Sequence, residues 1–264
     1  MRTGRLSRTA GIAAVLLAGG SGTLGAQEAD PVGREIVVGD PTIDTGRVAA
    51  GADTLELLMV ADGEERPLST LTRTVERIGP HDEGALRIVQ AYASPGGVSV
   101  DTSVVLEGSF APVEYAAVVA GEVQRLRFYP DRIHGTVSPA DSAARAIDVP
   151  LEGPVFNAVV DRELIEALPL SEGFSAYYAV YSPPFALGTV RIRVTGSETL
   201  ATAGGAVDAW VVDYAATTGA PGVLWMAKES GRFLRRRVDL PNGATWWMVR
   251  RADLDVWRAE VVPG

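Results

Sequence analysis

The chain has no cysteine among its 264 residues. No disulfide can staple it, no thiolate can serve as nucleophile or metal ligand, and no lipoprotein anchor can be attached near its N-terminus. Histidine is nearly as scarce, with only His81 and His134. Neither has a second histidine two to four residues away, so a zinc site would need both, plus carboxylates from distant strands. The plain reading is two surface histidines. No apolar run in the body of the chain is long enough to span a membrane as a helix. No G-x-S-x-G elbow occurs past residue 26, and no strand–helix alternation would carry one, so a Ser-His-Asp triad has no positive support. Gly204-Gly205 falls between strands and opens no helix, which removes a glycine-rich phosphate loop. No cofactor motif is present. An excess of positive charge is missing too: the formal charge is −9. That argues against nucleic acid as a partner and fits a solubilising acidic surface.

What the chain does have begins with an export signal. Arg2, Arg5 and Arg8 precede an apolar stretch over residues 10–17, too short to cross a bilayer. Gly19-Gly20-Ser21-Gly22 breaks the stretch, and Leu24-Gly25-Ala26 offers a cleavage site. Residues 1–26 are therefore expected to be removed, which deletes three positive charges and takes −9 to −12. The mature protein is expected in the periplasm or secreted. Residues 27–52, rich in Gly, Asp and Thr, are expected to form a flexible N-terminal arm. Residues 251–264 read as a charged C-terminal tail with a short strand or turn near Val256-Trp257.

Between these lies one β domain, residues 53–250. Short runs of alternating apolar and polar residues are separated by turn residues such as Asp62-Gly63, Ala120-Gly121 and Pro130-Asp131. Arg125, Arg127 and Tyr129 share one side of a strand, while Leu126 and Phe128 share the other. That is the pattern of an antiparallel sheet with one wet face. The clearest stretch is 222–250, three strands turned by Glu229-Ser230-Gly231 and Pro241-Asn242-Gly243. One helix is expected over 158–168, with Asn157 at its start and Pro169 at its end. Leu164, Ile165 and Leu168 form its apolar stripe; Arg162, Glu163 and Glu166 form its solvated side. The expected fold is mainly β: a single large, strongly curled antiparallel sheet, open or half-barrel, with one short packed helix.

Candidate chemistry is thin. Asp208 and Asp213, or Glu163 and Glu166, are paired carboxylates, but a glycosidase needs a separation that spacing in sequence does not supply. Arg235-Arg236-Arg237 reads as arginines snorkelling from a sheet rim, or as a pocket mouth gripping an anionic head group. Trp225, Trp246 and Trp247 read as cross-strand packing or as the aromatic wall of a cavity.

Four segments in order resemble an uncharacterised exported bacterial family of unknown function. They are the Tyr129-Pro130-Asp131-Arg132-Ile133 hairpin, Glu166-Ala167-Leu168-Pro169-Leu170, and Val194-Thr195-Gly196-Ser197-Glu198 followed by Ala209-Trp210-Val211. The fourth is Leu224-Trp225-Met226 with the arginine-rich strand after it. In architecture that family resembles the periplasmic lipoprotein-sorting (LolA/LolB-like) carriers, in which a curled sheet and a helical lid enclose an apolar cavity. This chain departs from the outer-membrane receptors in lacking a lipidation cysteine. The resemblance implies a non-enzymatic envelope protein holding a lipid or acyl chain, and it supplies no catalytic residues. Phe174, Tyr178, Trp225 and Arg236 are the expected ligand-binding residues, with Arg236 at the rim. Two alternatives stand beside this: a secreted hydrolase on an all-β scaffold, and a structural or assembly subunit with an envelope protein partner.

Overall fold

The computed structural model describes residues 33–79, 84–183, 186–217 and 219–262. The expected export signal and cleavage site, and His81, lie outside the described residues.

The alternating runs become strands because their turns can be made. Asp62-Gly63 joins β2 (Gly51–Ala61) to β3 (Glu64–Ile78), and both turn residues have positive φ, 53° and 78°. This mirror-image turn matches the twist of the strands it joins. The chain continues through β4 (Ala85–Ser94), β5 (Gly97–Leu106), β6 (Pro112–Val119), β7 (Glu122–Tyr129), β8 (Arg132–Ser138) and β9 (Arg145–Pro150). Each pairs antiparallel with the strand before it. A second meander contains β11 (Ser175–Ser182), β12 (Ala186–Thr202), β13 (Gly205–Ala216), β14 (Gly222–Ala227), β15 (Phe233–Asp239) and β16 (Thr245–Arg250). The last three fall within a few residues of the strands expected over 222–250.

Pairing of β16 with β2 fuses the two meanders into one sheet. Two short strands, β1 (Arg34–Glu35) and β10 (Phe156–Asn157), add to β11 in parallel. The sheet has 16 strands among the described residues, and its order runs from β1 and β11 at one end to β9 at the other without closing. It is mainly antiparallel and strongly curled. Phe128 on β7 meets Tyr181 on β11 at 6.2 Å between ring centroids, although these strands lie near opposite ends of the hydrogen-bonded order.

Curling gives the sheet an inner and an outer face. The inner face carries Leu55, Leu71, Ile88, Tyr178, Val190, Val212, Leu224 and Phe233, in one continuous core. Inside it sits a turn of 3-10 helix, Ala158–Val160, running into α1 (Asp161–Ala167). The Asn157 side chain accepts a hydrogen bond from the Val159 amide at 3.1 Å, capping the start as its residue type suggests.

Three features differ from the sequence reading. The stretch 33–50 is packed down: Ile36, Ile43 and Val48 join the inner core, and Asp40 is buried beside Arg34 and Thr42. Residues 251–261 form no strand. They make a 3-10 turn and a second helix, α2 (Leu254–Val261), which covers the outer face. The third is the surrounding of α1. Arg162, Glu163 and Glu166 are buried rather than solvated, because a helix inside a curled sheet has no wet side.

Candidate functional site

The inner concavity is the most heavily charged buried place in the described structure. Leu164 and Ile165 of α1 are fully enclosed among the strands. Just before them, Glu163 is 0 % exposed, and its Oε1 accepts from Arg73 Nε at 2.5 Å and from Arg162 Nη2 at 2.9 Å. Arg73 lies on the inner face of β3, and its Nη2 also reaches Glu166 Oε2 at 3.5 Å. The other oxygen of Glu166 accepts from the Phe233 amide at 3.2 Å. Nearby, Asp53 stands 3.8 Å from both Arg232 and Arg250.

A second arm lies at the start of α1. Tyr214 donates its hydroxyl to Asp161 Oδ2 at 2.5 Å, and the Arg236 guanidinium lies 4.5 Å above the Tyr214 ring. Tyr178 is fully buried against Phe156, edge to face at 5.7 Å. On the strands below the plug, Gln90 donates to the Val159 carbonyl and Asn157 donates to Ser103.

Burial and the arginines divide these carboxyls. Burial works against the charge on Glu163, but Arg162 and Arg73 outweigh it and hold the carboxyl at about 2. Glu166 moves the other way: burial raises it, and Arg73 and Arg162 do not fully offset that beside the Glu163 charge. The two carboxylates share one guanidinium, and Glu163 takes the larger share. Burial also raises Asp161, against the opposing pull of Arg236 and the Tyr214 hydrogen bond. Asp101, on β5, is pushed up to about 8 by burial and then by Glu163.

Several polar atoms here are enclosed without a hydrogen-bond partner: Asp101 Oδ1, Arg162 Nη1, Glu163 Oε2 and the Tyr178 hydroxyl. Unsatisfied buried groups are costly, and each calls for an explanation. Among the described residues, no group of three or more His, Asp and Glu side chains is placed to hold a metal ion.

The residues expected to bind ligand fall on two sides of the sheet. Phe174, Tyr178 and Arg236 belong to the inner side, with Phe174 packed on the inner core. Trp225 belongs to the outer side, stacked on Trp247 at 6.0 Å beneath α2. Strict alternation along β15 would put Arg236 on one side with both Leu234 and Val238. A register shift opposite Trp225 and Met226 breaks that alternation, so Phe233 faces inward and Leu234 outward. Arg236 thus shares its side with Phe233. Arg235 lies over Trp225 at 4.7 Å and is clamped by Glu260 of α2 at 2.9 and 3.0 Å. The sequence reading did not single out Arg73, Asp101 or Asp161. The one signal for Arg73 was an arginine in register with inward-facing Leu71 and Val75.

Other expected candidates lie apart from this cluster. Asp208 and Asp213 are exposed, on opposite faces of β13. His134 is exposed on the outer face of β8, at an open groove of about 430 Å³ that Val104, Ala116, Arg125 and Arg127 also line. Gly135 lies at the same groove, and a Cβ there would run into the Arg125 carbonyl oxygen on β7. None of the helices among the described residues is long and apolar enough to cross a membrane.

No curated protein matches the chain. A solved structure from Bacteroides fragilis, described as a "putative exported protein with YmcC-like fold", aligns at 10 % identity and a TM-score of 0.36. The alignment covers 76 % of this chain and 94 % of that one. A family model described as "Protein of unknown function (DUF3108)" matches residues 66–245, from β3 to the start of β16. The chain belongs to this family, DUF3108.

Proposed function

We propose that the protein is a non-enzymatic, exported envelope protein that binds a lipid or other apolar ligand between the inner face of its sheet and α1. The single observation that carries this reading is the mixed chemistry of the plug. Leu164 and Ile165 seal an apolar concavity, yet the same short helix brings in Asp161, Arg162, Glu163 and Glu166. Each buried ion costs on the order of several kcal/mol of desolvation, and a well-packed apolar helix would hold such a core as well or better. A segment that leaves the concavity and enters water has a physical use for those charges. Phe174, Tyr178 and Arg236 then line the space the helix vacates. Trp225 serves the outer face instead. The export signal expected from the sequence at residues 1–26 fits the same reading.

The test is native mass spectrometry of the mature protein from its own exported compartment, followed by solvent extraction. The expected result is a bound mass that extracts as lipid. A clean apo mass, unshifted by added phospholipid or fatty acid, overturns the proposal.

One observation favours a second reading, an assembly subunit. α2 covers the outer face only over β14–β16 and their neighbours. Over β5 and β6 that face exposes Val98, Val100 and Val118 at 66 %, 36 % and 48 %. An apolar patch on a soluble protein is a site for contact. A stable complex recovered with the apo protein would favour it. The hydrolase reading draws on the gathered carboxylates, but these are sealed and met by arginines rather than open to substrate.

A further inference from the structure

Arg73 is 4 % exposed, on the inner side of β3 between the buried side chains of Leu71 and Val75. Both of its carboxylate partners, Glu163 and Glu166, belong to α1. Arg162, which also holds Glu163, lies on the same helix and moves with it. Asp53 faces Arg73 across the β2–β3 pair, but its carboxylate is directed at Arg232 and Arg250. Removing α1 therefore takes away both carboxylates that pair with Arg73 and leaves its guanidinium in a cross-strand row with Asp53, Gln90 and Asp101, the first of these already engaged with Arg232 and Arg250. Any occupant of that space must bring an anion, or bear the loss of a buried charge pair. Three enclosed polar atoms lack partners while the helix is in place: Arg162 Nη1, Glu163 Oε2 and the hydroxyl of Tyr178, which is 0 % exposed. The plug fits the site incompletely, as a stand-in does.

We propose that Arg73 anchors the head group of the ligand, and that the ligand is an amphiphile with an anionic head, carboxylate or phosphate, on an apolar chain. The head takes the place of the Glu163 carboxylate on the Arg73 fork. The chain takes the place of Leu164 and Ile165. A guanidinium offers paired donors that suit either anion, which a neutral head group cannot accept as well. This inference rests on the reading of the inner face as the ligand site.

The experiment compares three probes of equal chain length on the mature protein by native mass spectrometry and titration calorimetry: oleate, oleoyl lysophosphatidate and oleyl alcohol. Oleate, lysophosphatidate or both are expected to bind at least about tenfold more tightly than the alcohol, as a charge-assisted pair in a dry site predicts. The tighter of the two names the head group. Arg73→Gln alone leaves Glu163 short of a partner and can cost folding, so the pair is neutralised together as Arg73→Gln with Glu163→Gln. In that double variant the preference for the anion is expected to vanish while the alcohol still binds. Equal binding of anion and alcohol to the unmodified protein overturns the assignment of Arg73 and leaves the inner-face reading standing. Binding of none of the three overturns both.

Discussion

Ala120 has φ +50°, beside Gly121 at +84°, in the turn between β6 and β7. The left-handed conformation brings Cβ against the following carbonyl and costs a residue such as alanine about 1 kcal/mol. Asp62 meets the same demand in the β2–β3 turn with a residue type that tolerates it. Ala120→Asn is therefore expected to stabilise the protein by about 0.5–1 kcal/mol. Urea denaturation should show a higher midpoint with an unchanged slope. Asp101 supplies a prediction in pH. Its carboxyl is held up at about 8 against an ordinary 3.8, through burial and the Glu163 charge. Between those values the folded protein keeps a proton that the unfolded chain releases. The stability this proton contributes is complete below the lower value and is lost as pH rises through the upper one. Asp101→Asn keeps the shape without the titration. Relative to the parent, its melting temperature should gain steadily from pH 4 to pH 8. Parallel curves for the two proteins would show that Asp101 does not titrate in this window.

Helix α2 shows how one element completes a face. Trp257 packs edge-on against Trp247 at 5.5 Å, and Trp247 stacks on Trp225. Arg235 lies over the Trp225 ring and is fixed by Glu260. Trp257→Ala is expected to cost about 3–5 kcal/mol, the range for emptying a buried aromatic site. Loss of the characteristic tryptophan emission in parallel with the drop in urea midpoint would show that the stack, and not the rest of the sheet, is what gave way. An effect near zero would mean that α2 is dispensable for the outer face. Helix α1 illustrates the opposite placement. Its apolar stripe was legible, since Leu164, Ile165 and Leu168 follow helical spacing. The role of the other side was not legible, because periodicity assigns charged residues to water by default. Here the surroundings on that side are Arg73 of β3 and the Phe233 amide of β15, contributed from about 90 residues before the helix and 67 after it.

At the scale of the whole molecule, the decisive contact is β16 on β2. It joins residues 245–250 to 55–60 and makes one sheet of two meanders. Curling then brings β7 to β11 and encloses the plug. Such long-range pairing places the protein among slow-folding topologies. The exposed end of the order is β9, six residues long and finished by Pro150, which limits the edge available to another strand. The proposed lipid occupancy belongs to this scale, since a ligand between sheet and helix would touch strands from both meanders. A bound lipid mass on the intact protein, and its absence after solvent extraction, would read that occupancy directly.

Strand pattern and turns were readable along the chain because both are set by neighbours two to four residues away. Alternation marked strands such as 222–250, and Asp62-Gly63 marked its own turn. The helix at 158–168 announced itself through Asn157, its apolar stripe and Pro169. Which face of each strand is inner depended on pairing between distant segments. Pairing with Leu224 put Arg236 on the side away from Trp225, and the register shift at Trp225 and Met226 turned Phe233 inward and Leu234 outward, which no local pattern records. The burial of Glu163 and Glu166, the packing of residues 33–50 and the folding of α2 onto the outer face had the same origin. A polar side chain is buried when a distant strand supplies its partner, and that partner is chosen by the curl of the sheet rather than by the residues beside it.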